Sequence, residues 1–197
     1  LPEGWVWCRL GDIAHCSLGK MLDQAKNRGK LNPYLRNLNV RWFDFDLDDL
    51  LEMRFLPQET EKYTAIKGDV LICEGGYPGR AAIWSQDKPI YFQKAIHRVR
   101  FHAAGMSKWF LYHVYLSDLS RSIKKYFTGA GIQHFTGKQL KRYVFPIPPD
   151  PERHVLVERI EHWMTRLDEL EHQITERKSQ SEMLMQTVLR EAFEVAK

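Results

Sequence analysis

Hydrophobic residues follow two different patterns along the chain, and the change comes near residue 150. Before it, apolar residues form short runs that end in glycine or proline. "GDVLICEGG", which begins at Gly68, predicts a buried strand and a turn, and "RAAIW" predicts another strand. "KAIHRVRF" predicts a third, in which Ile96, Val99 and Phe101 alternate imperfectly with polar residues. Residues 1–149 are therefore predicted to form a mixed α/β domain.

One helix is predicted inside this domain. The stretch "SKWFLYHVYLSDLSRSIKKYF" has helical spacing, and Ser107 is the predicted cap. Its broad apolar face consists of Phe110, Leu111, Val114, Leu119 and Ile123. The stretch "YLRNLNV" reads as a further strand, of which only alternate side chains would reach one face.

The domain is predicted to end in prolines. Pro146, Pro148 and Pro149 do not fit a helix interior and predict an extended exit. Asp150 and Pro151 have the residue types that favour the cap and the first position of a helix. We therefore predict a boundary at this point, with residues 1–149 as one domain and 150–197 as a long helix.

The long helix has the hydrophobic repeat of a coiled coil. Apolar residues recur at alternating spacings of four and three, as in a heptad seam. The predicted pairing surface, called the seam below, comprises Leu156, Ile160, Trp163, Leu167, Leu170 and Ile174, with Leu184 and Val188 beyond a polar break. A helix of this length, roughly 65–70 Å, is too long to bury its seam on one small domain. The predicted fold class is α+β: a mixed α/β domain followed by a coiled-coil-forming helix.

Charge divides at the same place as the hydrophobic pattern. Residues 1–150 contain 22 Lys and Arg against 15 Asp and Glu, whereas residues 151–197 contain 7 against 10. The net charges are +7 and −3, so the first segment is the one suited to a polyanion.

The composition excludes several other classes of protein. Cys8, Cys16 and Cys73 form no close pair, which fits buried thiols in a reducing cytoplasm, and no apolar stretch is long enough to span a membrane. Zinc at Cys8, His15 and Cys16 lacks ligand spacing and a fourth ligand. No metal site is predicted.

Motifs that suggest catalysis lack their structural context. "FTGAG" is similar to the glycine loop of adenine methyltransferases, but a predicted helix, not a strand, precedes it. Asp69 and Glu74 lack the lysine pattern of a metal-dependent nuclease, and "FDFDLDDL" lacks the glycine of a calcium loop. The sequence therefore predicts no enzyme and no cofactor in this chain.

Three segments occur in a characteristic order: "LPEGWVWCRLGDIA", "GDVLICEGGYPGRAAIW" and "GIQHFTGKQLKRYVFPIPPDPERHVLVERIEHWMTRLDEL". Together they resemble the specificity subunits of type I restriction-modification systems. One departure is Arg153, where the family usually has glutamine after Glu152. A larger one is that family members have two recognition domains and two long helices, whereas this chain has one of each. It would then be half of a cut subunit or a natural half-subunit that dimerises.

The resemblance implies a non-catalytic DNA-recognition subunit. Such a subunit reads one half of a bipartite double-stranded DNA target. It docks the methyltransferase (modification) subunits, and translocase/nuclease (restriction) subunits join them. S-adenosylmethionine, ATP and Mg²⁺ are then expected on those partners. The chain would pair through its seam with a second copy or a second half. Two alternatives remain open: a recognition domain cut from a fused restriction-methylation enzyme, and a coiled-coil scaffold that does not bind DNA.

Candidate DNA contacts are cations, amides and aromatics next to glycine or proline. Arginine suits guanine, Asn and Gln suit adenine, and other cations suit phosphates. A solvated loop would explain the densest of these stretches equally well. The candidates are Lys20, Lys26, Arg28, Lys30, Tyr34, Arg36, Asn37, Arg41, Tyr77, Arg80, Gln93, Lys94, His97, Gln133, His134 and Lys138.

Overall fold

The structure, a computed structural model, describes residues 1–23 and 25–194. The chain divides into two compact units, Leu1–Pro149 and a second that begins at Asp150. No helix within the described ranges is long and apolar enough to cross a membrane.

The first unit contains ten strands and four helices within the described residues. The strands are β1 Val6–Arg9, β2 Ala14–Leu18, β3 Lys30–Leu35, β4 Leu51–Phe55, β5 Thr64–Ala65, β6 Val70–Cys73, β7 Ala81–Ile83, β8 Ile90–Phe92, β9 Ile96–Phe101 and β10 Val144–Ile147. The helices are α1 Leu10–Ile13, α2 Thr60–Tyr63, α3 Met106–Leu119 and α4 Gly137–Arg142. Short 3₁₀ helices lie at Asn37–Asn39, Pro57–Glu59 and Ser122–Tyr126.

The strands form two four-stranded sheets and one two-stranded sheet. One sheet has the order β2-β9-β6-β7 and is antiparallel throughout. The second has the order β4-β3-β8-β5, in which β3 and β8 run parallel. β1 and β10 form the third sheet, which brings the beginning and the end of the unit together. The strands predicted at "GDVLICEGG", "RAAIW" and "KAIHRVRF" are β6, β7 and β9.

A common hydrophobic core joins the two four-stranded sheets. It contains Leu71 and Ile96 from one sheet and Leu35, Ala65 and Phe92 from the other, all fully buried. β9 lies between β2 and β6. Its first four residues are buried without alternation, which explains the imperfect period of "KAIHRVRF".

The helix predicted after residue 106 begins and ends differently from the prediction. Gly105, with φ of +77°, occupies the cap position, and the Ser107 hydroxyl donates instead to the Gly68 carbonyl at 2.6 Å. α3 ends at Leu119, which is exposed. Ile123 is buried as predicted but belongs to the following 3₁₀ helix. The strand predicted at "YLRNLNV" is also wrong beyond Leu35, where a 3₁₀ helix follows.

Within the described residues the second unit is the single helix α5, Asp150–Glu194, and residues 195–197 of the predicted helix lie outside them. Its 45 residues correspond to about 68 Å at about 1.5 Å per residue. Pro146 lies in β10 opposite Trp7, so the exit before the helix is extended as predicted. Arg153, the departure from the family pattern, lies 2.5 Å from the carboxylate of Asp150, the first helical residue. The prediction of a mixed α/β domain followed by a long helix is confirmed.

Gly29 permits a close backbone approach at the start of β3. Its φ is +103°, and a Cβ there would lie 2.0 Å from the Phe55 carbonyl oxygen. Gly68 has a similar φ of +93°, but a Cβ there would meet nothing within 4 Å. A side chain at Gly68 would therefore cause backbone strain alone, whereas one at Gly29 would cause both strain and a steric clash.

We expect Gly68→Ala to lower the free energy of unfolding by about 1–2 kcal/mol, from backbone strain alone. Gly29→Ala should cost about 3 kcal/mol or more, because β3 and β4 must also separate locally. Urea unfolding of both variants measures the difference. Equal losses would contradict the close approach at Gly29.

Candidate nucleic-acid interface

Four segments that are distant in sequence meet around Glu74, the residue after β6. The Glu74 amide donates to the Ala95 carbonyl at 2.8 Å, and its carbonyl accepts from the Phe135 amide at 2.7 Å. The Asn37 side-chain amide donates to the Gly75 carbonyl at 3.1 Å. The segments are the 3₁₀ helix Asn37–Asn39, the glycine loop (residues 74–80), the 93–95 turn and the 128–134 hairpin. Together they are called the loop junction below, and each includes predicted DNA contacts.

The glycine loop lies close against its neighbours because Gly75 and Gly76 have no side chains. A Cβ at Gly76 would lie 2.3 Å from Asn37 Nδ2, and one at Gly75 would lie 3.1 Å from His134 Nδ1. Gly76 also has a φ of +79°, which favours glycine. Since the Asn37 amide nitrogen is engaged with the loop, its role in the structure is to position the loop.

Tyr77 and Arg80 form a cation–π pair within the glycine loop. The Arg80 guanidinium lies 5.3 Å from the centre of the Tyr77 ring, and its Nη2 donates to the Asn37 carbonyl at 3.0 Å. The Tyr77 hydroxyl donates to the Asp118 carboxylate of α3 at 3.2 Å. The Asp118 charge raises the pKa of Tyr77 above its usual value, so the hydroxyl remains a neutral donor. The pair gives the loop a fixed surface of an aromatic ring and a guanidinium group.

The 128–134 hairpin is a tight turn. Thr128 and His134 exchange backbone hydrogen bonds of 2.9 and 2.8 Å. Gly129 has a φ of +108°, and a Cβ there would lie 2.2 Å from the Ile132 carbonyl oxygen. Residues 129–134 are all exposed, so the Gln133 and His134 side chains reach the surface.

The 93–95 turn places a second amide and a second cation at the loop junction. Ala95 has a φ of +92°, and the Lys94 amide donates to the Lys20 carbonyl at 2.7 Å. Gly19 permits this contact, because a Cβ there would lie 2.2 Å from the Gln93 carbonyl oxygen. Gln93 is half-buried and the Lys94 side chain is exposed.

Comparison with known proteins identifies the family. Residues 2–178 match the family described as the type I restriction modification DNA specificity domain. The chain belongs to this family. The specificity domain is 23% identical over 186 residues to the type I restriction enzyme EcoAI specificity subunit of Escherichia coli. That alignment covers 87% of this chain and 30% of the relative, so the chain spans about a third of that protein's length.

Solved structures have the same fold as the specificity domain. A chain from a structure of complex assembly in the type I R-M system matches with a TM-score of 0.78 and 21% identity, over 98% of this chain and 46% of that one. The HsdS subunit from Thermoanaerobacter tengcongensis matches with 0.65 and 20%, over 87% and 40%. The type I restriction-modification S subunit from M. genitalium matches with 0.55 and 17%, over 84% and 40%.

Two of the predicted DNA contacts, Tyr34 and Lys20, are buried and engaged elsewhere. Tyr34 is 2% exposed and packs with Met53 and Phe55. Lys20 is 7% exposed, and its ammonium group lies 2.5 Å from the Glu59 carboxylate and over the Phe55 ring. Neither side chain presents a surface to DNA, so we remove both from the interface.

The prediction of His97 as a DNA contact is also wrong. It is 1% exposed, and its Nε2 donates to the Phe135 carbonyl at 3.1 Å. Burial lowers the pKa of His97 to about 4, so the ring is neutral near pH 7. Its separation of 3.9 Å from the Glu74 carboxylate is therefore not an ion pair at that pH. His97 instead supports the residue that follows the 128–134 hairpin.

Of the predicted contacts at residues 26–30, Lys30 lies away from the loop junction. Lys30 begins β3, whereas Asn37 lies beyond its other end. A six-residue strand spans about 17–20 Å. Lys26 and Arg28 lie in the preceding loop, where the Asn27 side chain donates to the Met21 carbonyl at 3.2 Å and Arg28 donates to the Ala25 carbonyl at 2.7 Å. Lys30 therefore does not belong to the group around Glu74.

Acidic residues neutralise two further candidates. Arg36 lies 2.5 Å from the Asp49 carboxylate, and Arg41 lies 3.0 Å from that of Asp46. The turn "FDFDLDDL" thus supplies partners for arginines. Across residues 1–23 and 25–194, no group of three or more His, Cys, Asp and Glu side chains is arranged to hold a metal ion.

The sequence-based prediction of DNA contacts omitted cations that precede and follow the 128–134 hairpin. Lys124 and Lys125 are exposed in the 3₁₀ helix before it, and Lys141 and Arg142 are exposed in α4 after it. Lys141, however, lies against Gly11, so that end of α4 faces α1. Lys138, which was predicted, lies at the start of α4 and is exposed as well. The available signal was their short distance in sequence from "GAGIQH".

The seam of α5 presents an apolar surface in the single chain. Leu156 and Ile160 are half-buried. The remaining seam residues are exposed: Trp163 63%, Leu167 53%, Leu170 49%, Ile174 66%, Leu184 65% and Val188 54%. The polar residues between them leave this stripe as the surface suited to a partner helix.

Proposed function

We propose that this chain is the DNA-recognition part of a type I restriction-modification enzyme and reads one half of a bipartite double-stranded target. The observation behind the proposal is the loop junction, where a guanidinium–aromatic pair, two glutamines and the exposed Lys94 lie together, with further exposed lysines beside the 128–134 hairpin in sequence. That mixture combines groups for base edges with groups for phosphates. The first unit, called the reading unit below, performs no catalysis in this proposal.

Pairing through the seam brings in a second recognition domain, which reads the other half of the target. Two helices of about 68 Å that pair through their seams hold two reading units at a set distance, with unread DNA between them. If the partner is a second copy, two-fold symmetry requires a palindromic bipartite target. If it is another part of a longer chain, the two half-sites differ. The coverage of 40% to 46% of the solved relatives is compatible with either arrangement.

Catalysis belongs to the partner subunits in this proposal. Methyltransferase subunits dock on the chain and supply S-adenosylmethionine, and translocating nuclease subunits supply the ATP- and Mg²⁺-dependent steps. The chain directs them to the target, because its loop junction contacts the half-site bases.

A selection from randomised duplexes, with the methyltransferase subunits present, tests this function. The expected product is two short sequence motifs at a constant spacing. A single continuous motif would contradict the bipartite reading. Recovery of random sequence would contradict sequence recognition altogether.

Gln133 and Lys138 separate base reading from phosphate binding. Gln133→Ala should cost about 1–3 kcal/mol on the selected site and relax the preference at one base pair, because glutamine can pair with adenine through two hydrogen bonds. Lys138→Ala should weaken binding on all sequences alike, since it removes only a phosphate contact. Titration of both variants on selected and scrambled duplexes measures the contrast. An unchanged preference in Gln133→Ala would remove this residue from the base-reading set.

A further inference from the structure

Ile132 lies at the tip of the 128–134 hairpin and is 76% exposed. It is more exposed than any other large apolar residue of the first unit within the described ranges, where Leu119 follows at 62%. It also lies within a run of six exposed residues, 129–134, in which it is the only large apolar residue. A side chain this exposed does not contribute to the core of the unit.

The hairpin that presents Ile132 has a rigid base. Phe127 and Phe135 flank it, with ring centres 5.6 Å apart, and Phe135 is fully buried. The Phe135 amide donates to the Glu74 carbonyl, which joins the base of the hairpin to the glycine loop. A side chain on such a base can enter a partner without first ordering a flexible loop.

The tip is narrow. Gly129, Ala130 and Gly131 precede Ile132, and a Cβ at Gly131 would meet nothing within 4 Å. The minor groove of B-DNA is only about 6 Å wide, so a tip of small residues suits close approach to it. The turn depends on Gly129, whose φ of +108° places the Ile132 backbone close behind it.

Polar groups next to the tip suit DNA better than a protein core. Gln133 follows directly, and its side-chain amide has no hydrogen-bond partner among the described residues. Exposed cations lie close to the hairpin in sequence, Lys124 and Lys125 before it and Lys138 after it. An apolar tip with an amide beside it and cations before and after it has the chemistry of a wedge that enters a base step while cations hold the phosphates.

We propose that Ile132 is a wedge that inserts between stacked base pairs of the half-site and unstacks them, with Gln133 contacting the exposed base edges. This role rests on the proposed function and adds a specificity-determining residue to it. Easily unstacked pyrimidine–purine steps would be preferred at the position of the tip. That preference arises without any hydrogen bond from Ile132 itself.

The test uses selected duplexes that contain 2-aminopurine at successive positions, titrated with the full chain in the presence of the methyltransferase subunits. With the wild-type chain, fluorescence should rise at one step of the half-site as the base unstacks. Ile132→Ala should abolish that rise and weaken binding about tenfold, the loss expected for removing an apolar group of this size. Ile132→Leu should retain both. Leu119→Ala, which removes an exposed leucine outside the loop junction, should change neither.

The outcomes separate this proposal from the function on which it rests. Sequence-specific binding by both wild type and Ile132→Ala, with no fluorescence change that depends on Ile132, would overturn the wedge and leave recognition intact. Loss of methyltransferase association in Ile132→Ala, with DNA unstacking unchanged, would make the tip a protein contact and also overturn it. No sequence-specific binding by the wild-type complex would overturn both proposals.

Discussion

Replacing Leu167 and Leu170 by glutamate is expected to convert a dimer of this chain into a monomer. Both side chains are about half exposed in the single chain, at 53% and 49%. Burial of a large apolar side chain contributes roughly 1.5–3 kcal/mol, and a buried unpaired carboxylate costs more than that. Light scattering at micromolar concentration measures the change in mass.

A control with the same added charge lies on the opposite side of the helix. Thr165 and His172 are seven residues apart and fall at outward heptad positions when Leu167 and Leu170 are in the seam. Thr165→Glu with His172→Glu should therefore remain dimeric. Dissociation of this control as well would attribute the effect to charge and not to the seam. A monomeric wild type at high concentration would contradict pairing through α5.

The same double substitution should separate reading from spacing. The loop junction lies wholly within Leu1–Pro149, whereas Leu167 and Leu170 lie in α5. The monomer should therefore keep its preference for one half-site and lose its preference for two half-sites at a set distance. A loss of half-site preference would mean that α5 contributes to recognition itself.

Affinity for duplex DNA is expected to fall about 10³-fold between about 50 and about 200 mM salt, if about six phosphates are neutralised. The expectation follows from the net charge of +7 in residues 1–150 and from exposed cations at the loop junction and beside it in sequence. Fluorescence anisotropy across this salt range gives the slope of log affinity against log salt. A flat response would contradict binding through phosphates.

Two pairs of lysines test where the phosphates bind. Lys94→Ala with Lys138→Ala should reduce the slope by about two, at about 0.9 per phosphate contact. Lys30→Ala with Lys67→Ala removes the same charge at a distance, because Lys30 begins β3 and Lys67 precedes β6. This second pair should leave the slope unchanged. A smaller slope for the Lys30 and Lys67 pair, with no change for the Lys94 and Lys138 pair, would place the interface at the beginning of β3 and β6.

The net charge of the first unit overstates the number of positive side chains that are available to bind DNA phosphates. Several of its arginines have carboxylate partners within the unit: Arg36 with Asp49, Arg41 with Asp46 and Arg100 with Asp69. Arg98 is 3% exposed and donates to the Thr64 carbonyl. The exposed cations at or beside the loop junction are instead lysines: Lys94 within it, and Lys124, Lys125 and Lys138 next to the 128–134 hairpin. A sequence count of charge therefore predicts the class of partner but not the position of contact.

Periodic features were predictable because they depend on neighbouring residues. The spacing of the seam and the prolines before Asp150 predict α5 and its beginning, and the structure has the helix from Asp150. The apolar run before Glu74 likewise predicts β6. Backbone preferences and helical periodicity act over a few residues, so the sequence contains them directly.

Residues that looked alike in sequence were separated by packing. His97 and Gln93 lie four residues apart, yet β9 buries His97 and the 93–95 turn leaves Gln93 half-exposed. Tyr34 follows a basic, glycine-containing stretch typical of a binding loop, but its ring belongs to the core with Phe55. Burial on both faces of a central strand removes the alternation from which exposure could be inferred.

By itself, the sequence determined a mixed α/β domain, a long helix with an apolar seam, and the basic character of the first segment. Only the tertiary structure decided which candidates form one surface. Asn37, Tyr77, Lys94 and Gln133 come together because hydrogen bonds at Glu74 and close contacts at glycines bring four distant segments into contact. Such contacts depend on how the two sheets pack, and no local pattern records a meeting between residues almost one hundred positions apart.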